Sequence, residues 1–256
     1  EINPKYNDSQ KFLDRLPFCL IQNTKMEKIN SRYQITTYIG LFIVLIITTI
    51  FWFPSVYKSI LSTDFELRNY QMQGFDWFVV IVIIGLIIYG ERNKLSTLNI
   101  KKPTLEMMGI GMGLGGFSLL YIFLHRTAFN FFNISTGFEQ QLENPSLNEV
   151  GSEFVFVYGI FSLITAGVAE EVIYRGYATE RLMKLKNSYW VAFLLPLVAF
   201  VLMHYRKGFD HLLIVLVVGS LMQYYYLKFR NLTINIIGHL FIDLMAYIGI
   251  LGKWFN

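Results

Sequence analysis

The stretch Ala169-Glu170-Glu171-Val172-Ile173-Tyr174-Arg175-Gly176 sets two adjacent carboxylates and an arginine inside an apolar run long enough to cross a membrane. Ionisable groups at such a place are costly to bury and tend to serve function. Hydrophobic residues make up 54% of the chain and charged residues only 16%. A soluble domain carries closer to a quarter charged. Most of the apolar residues also fall in long blocks. The fold class is therefore all-α: a polytopic transmembrane helical bundle of about seven to eight membrane helices, with its chemistry in the C-terminal half.

Membrane spans are expected at roughly 35–53, 75–90, 105–124, 154–176, 189–204, 211–227 and 232–251. Residues 1–34 form a polar tail, within which Lys11-Phe12-Leu13-Asp14-Arg15-Leu16 fits a membrane surface. The first apolar run lies behind that tail and reads as a span, not a cleavable signal. Residues 35–149 read as accessory transmembrane helices and 150–251 as the catalytic core. The third span carries Gly109, Gly111, Gly113, Gly115 and Gly116. Small residues predict close helix packing, and their alternation spreads over several faces without singling out one seam. The loose GxGxxG match here carries no weight without a preceding strand.

Basic residues set the orientation. With the tail on the cytoplasmic side, that side holds sixteen of the 22 lysines and arginines. The loop 125–153, with Glu139, Glu143, Glu149 and Glu153, falls outside. The bias predicts a cytoplasmic N-terminus. The net charge of +4 follows from these loops and calls for no nucleic-acid partner. The single cysteine, Cys19, excludes an intrachain disulfide and any multi-cysteine metal site.

On a helix, Glu170 and Glu171 point about 100° apart. Glu171 and Arg175 are four apart with the acid first, the favourable order for an ion pair. That pairing leaves Glu170 for chemistry, among the small residues Ala166, Gly167 and Ala169. Glu170 lies 17 residues before Asn187, near the next turn, and His204 lies 17 after it. An antiparallel hairpin brings the two to one height. The fourth helix must then continue past Gly176, carrying Arg175, Arg181, Lys184 and Lys186 to water. Phe200 and His204 share a face, as do His239 and Asp243, which can orient one another. His125 and His211, at span ends, are expected to be interfacial.

These runs resemble a known family. Glu170-Glu171-Val172-Ile173-Tyr174-Arg175 matches the EExxxR motif of the membrane-embedded CAAX prenyl endopeptidase and bacteriocin-processing family. Phe200 to His204 matches its FxxxH motif, and His239 to Asp243 its HxxxN/D motif, in the same order. The resemblance covers about residues 150–250. It implies an intramembrane glutamate endopeptidase with no obligatory metal or other cofactor. Its partners would be the lipid bilayer and a membrane-associated peptide or protein substrate. By that resemblance Glu170, helped by His204, activates water, and His239 with Asp243 faces the developing oxyanion. Glu171, Arg175 and Phe200 support the site. Asp243 departs from the asparagine of many members, and an ionised aspartate cannot donate to an oxyanion. The Ile-, Phe-, Tyr-, Asn- and Lys-rich composition points to a prokaryotic cell membrane. Two other readings stay open. One is a non-catalytic immunity or scaffold protein acting on a sensor kinase or toxin response. The other is a zinc protease using Glu170, His204 and His239, although no HExxH pattern is present.

Overall fold

The computed structural model describes residues 31–132, 152–186 and 188–254. Most of the polar tail, Cys19, the turn residue Asn187 and the acidic residues Glu139, Glu143 and Glu149 lie outside the described residues. Within them, eight helices follow one another: α1 (Ser31–Phe51), α2 (Pro54–Ile60), α3 (Phe65–Gly90), α4 (Leu105–Phe131), α5 (Glu153–Lys186), α6 (Tyr189–Met203), α7 (Phe209–Phe229) and α8 (Leu232–Trp254). Six are long and apolar enough to span a bilayer, and α6 is a shorter apolar helix beside them. The protein is an all-α, multi-pass integral membrane protein. Large apolar side chains such as Phe78, Ile81, Phe117 and Trp190 are exposed on the outside, as a lipid-facing surface requires.

Helix ends follow local chemistry. Asp64 caps α3 by accepting from the Leu67 amide at 2.8 Å, and Thr104 caps α4 through the Met107 amide at 3.2 Å. Ser188 does the same for α6. Because Asp64 starts α3 ten residues earlier than hydropathy indicates, Asp76 sits within a span and not at its entry.

Helix α5 is the axis of the bundle. Its stretch Thr165–Thr179 is a π-helix and is almost wholly buried. The i→i+5 bonding widens each turn, and such segments concentrate at functional sites. It changes the angular offset expected between Glu170 and Glu171 on a regular α-helix. The helix does continue past Gly176, to Lys186, but Arg175 and Arg181 do not reach water. They are 1% and 2% exposed. Each has a buried carboxylate that holds it inside: Arg175 has Glu171 and Arg181 has Glu91.

The glycine-rich face of α4 also resolves into a seam. A Cβ on Gly115 would meet the Gly238 carbonyl at 2.7 Å, and one on Gly111 would meet the Ile234 carbonyl at 2.9 Å. Gly109, Gly113 and Gly116 face open space. So Gly111 and Gly115, at GxxxG spacing, let α4 close on α8. The sequence pattern alone hides this because all five glycines look alike.

Candidate active site

Glu170 is 7% exposed, and its Oε2 has no hydrogen-bond partner. It lines a cavity of about 710 Å³ together with Phe200, His204, His239 and Asp243. The three helix segments that the sequence pairs are thus brought to one space. The small Ala166 and Gly159 on α5 leave room for it.

His204 sits at the end of α6, where its Nδ1 lies 2.8 Å from the Phe200 carbonyl oxygen. A carbonyl only accepts, so Nδ1 carries the proton and Nε2 keeps a lone pair. The ring therefore offers an acceptor while held by its own helix.

Glu171 is fully buried and does two jobs. Its Oε1 accepts from Arg175 Nη1 at 2.9 Å and from His239 Nδ1 at 2.9 Å. The first contact is the expected i, i+4 pair. The second is not legible in the sequence, where Asp243 is the expected partner of His239. In the structure Asp243 Oδ2 lies 3.6 Å from His239 Nε2. That is ion-pair range, too long for a hydrogen bond. Glu171 therefore orients the ring, and Asp243 faces its other nitrogen at a distance.

Phe200 sits amid the polar groups. The Arg175 guanidinium lies 4.2 Å from its ring centroid. His204 and His239 approach it at centroid distances of 5.0 and 6.3 Å. An aromatic face here holds the cation and spaces the imidazoles without supplying a competing donor.

Other residues at the site carry no motif. Trp52 lines the cavity, and its indole N–H donates to Asp76 Oδ1 at 3.3 Å. Asp76 is 1% exposed with Oδ2 unpartnered. A lone carboxyl inside an apolar span is the signal that could have found it. Lys207 and His211 also line the cavity, and the His211 ring stacks on His204 at 5.7 Å. His125 instead pairs with Asp210 at 2.7 Å, linking α4 to α7.

Among the described residues, no group of three or more His, Cys, Asp or Glu side chains is gathered as a metal site. No curated protein and no solved structure matches the chain. Residues 152–245, however, match the family model described as type II CAAX prenyl endopeptidase, Rce1-like, a stretch that runs through α5 to α8 and includes Glu170, His204, His239 and Asp243.

Proposed function

We infer that the chain is, at the family level, a CAAX protease-type intramembrane endopeptidase, a reading supported by the Rce1-like match within a multi-pass membrane protein. We propose that this chain hydrolyses a peptide bond of a membrane-associated or hydrophobic substrate, with Glu170 as the base and residues 150–251 as the catalytic unit. The observation that carries this reading is Glu170, which is buried with its Oε2 unpartnered and lines the same cavity as His204. A buried carboxyl oxygen left without a donor is expensive unless something binds there.

In this reading a water lies between Glu170 and His204 Nε2. Glu170 takes one proton from it as the oxygen adds to the substrate carbonyl carbon. The developing oxyanion accepts a hydrogen bond from the Nε2–H of a doubly protonated His239, whose Nδ1–H donates to Glu171. Glu170 then returns the proton to the leaving nitrogen as the C–N bond breaks. Arg175 balances the Glu171 charge and rests on Phe200. The accessory helices among the described residues, α1 to α4, close the bundle around this core.

The test is Glu170→Gln, assayed by mass spectrometry on membrane peptides from cells carrying either form. A base of this kind contributes about 10²–10⁴-fold, so the variant should lose cleavage by that order while remaining folded in detergent. Full cleavage by Glu170→Gln would overturn the assignment.

A further inference from the structure

The cavity runs to one face of the membrane only. On α5 its lining positions Phe154, Tyr158, Ser162, Ala166 and Glu170 repeat every four residues, from the helix start to its middle. On α8 they are His239, Asp243 and Tyr247, heading toward the helix end. On α7 they run from His211 through Val215 and Gly219 to Met222, from the helix start inward. Phe65, at the start of α3, completes the same end. With roughly 1.5 Å per residue, the α5 row makes a shaft of roughly 20 Å down to Glu170.

The opposite end is shut. Glu91, at the far end of α3, accepts from Arg181 Nη2 at 2.7 Å, from Tyr177 at 3.1 Å and from Thr37 at 3.0 Å. Gln223 donates to Thr179 and to the Ala192 carbonyl, joining α7, α5 and α6. These buried bonds lie between the cavity floor and the connections 91–104 and 230–231. No described residue of α5 beyond Glu170 lines the cavity.

The two faces differ sharply in charge. Arg175 and Arg181 are inside the protein and drop out of the count. Of the remaining lysines and arginines, fourteen belong to the closed face and the N-terminal tail, Arg92, Lys94, Lys101, Lys102, Lys184 and Lys186 among them. Six belong to the open face. Short basic loops stay in the cytoplasm. The closed face is then cytoplasmic, and the mouth faces the other compartment.

We infer that the cavity opens away from the cytoplasm and takes an exported substrate: a peptide segment presented at the outer face of the membrane. The mouth has the chemistry for such a segment. Phe65, Phe154, Tyr158 and Tyr247 give apolar walls, and Lys207 and His211 stand beside the path to His204. This inference rests on the protease reading only for the word substrate; the direction of the mouth stands on geometry and charge.

The experiment uses the full chain in intact cells, with Cys19→Ser removing the single native thiol. Thr63→Cys places a thiol on the rim at the mouth, and Ser96→Cys places one on the closed face; both positions are exposed. A membrane-impermeant maleimide is added before or after permeabilisation. The expected result is labelling of Thr63→Cys in intact cells and of Ser96→Cys only after permeabilisation. Labelling of Ser96→Cys in intact cells overturns the inference. A second arm treats Lys207→Cys from outside with the same reagent, and Glu170-dependent cleavage should be lost. Retained cleavage with full labelling also overturns it. If no Glu170-dependent cleavage exists at all, the protease reading fails while the labelling result still decides which way the mouth faces.

Discussion

Glu171 Oε1 lies 2.9 Å from His239 Nδ1 and the same distance from Arg175 Nη1. One carboxylate oxygen thus ties α5 to α8 and fixes a candidate oxyanion donor. Glu171 is fully buried, the Arg175 side chain is 1% exposed and that of His239 is 12% exposed. Removing one partner of a buried pair leaves the other charge uncompensated, at a cost of about 3–5 kcal/mol. Glu171→Ala should therefore lower stability by that order, read from unfolding in detergent. Glu171→Gln keeps the shape and one acceptor and should cost less. Both should lower kcat in the fraction that remains folded, because the His239 ring loses its anchor. A Glu171→Ala protein of unchanged stability and rate would show that this bridge carries nothing.

The GxxxG seam between α4 and α8 gives a prediction with a built-in control. A methyl at Gly115 would sit 2.7 Å from the Gly238 carbonyl and 2.9 Å from the Phe241 ring. A backbone carbonyl cannot step aside, so α4 must move away from α8. Overpacking of this kind costs about 1–3 kcal/mol. Gly115→Ala should lower the melting temperature and, since α8 carries His239, the cleavage rate as well. Gly113→Ala meets no neighbour and should leave both unchanged. Equal effects at the two positions would mean that the seam is not where α4 and α8 lock.

What the sequence reveals and what it hides divide along physical lines. Apolar blocks announce spans, and the three polar motifs stand out because charge inside such blocks is rare. The hairpin count around Asn187 anticipates that Glu170 and His204 share a space, and both line one cavity. Long-range polar pairings are invisible. His239 with Glu171 spans 68 residues, and Arg181 with Glu91 spans 90. Nothing in local spacing marks such partners. Arg175 and Arg181 are expected in water because a basic residue near a span end normally finds it; only a buried carboxylate partner reverses that. Asp76 is misplaced for a simpler reason: hydropathy begins α3 late, whereas Asp64 caps it early.

The departure at Asp243 can be settled by a graded comparison. Its Oδ2 stands 3.6 Å from His239 Nε2, and its side chain is 30% exposed. Glu171, by contrast, is fully buried and holds a hydrogen bond to the same ring at 2.9 Å. A partly solvated charge beyond hydrogen-bond range contributes up to about 1 kcal/mol, which is about fivefold in rate. Replacing this carboxylate with a carboxamide would keep the shape and add an N–H that a developing oxyanion can use. Asp243→Asn should thus keep activity within about fivefold of the parent, whereas Glu171→Gln should fall further on the same substrate. The measurement is kcat/KM for both variants beside Glu170→Gln. If Asp243→Asn is as inactive as Glu170→Gln, its carboxylate acts on the reacting atoms themselves, and Asp243 belongs with the base instead of with the ring it faces.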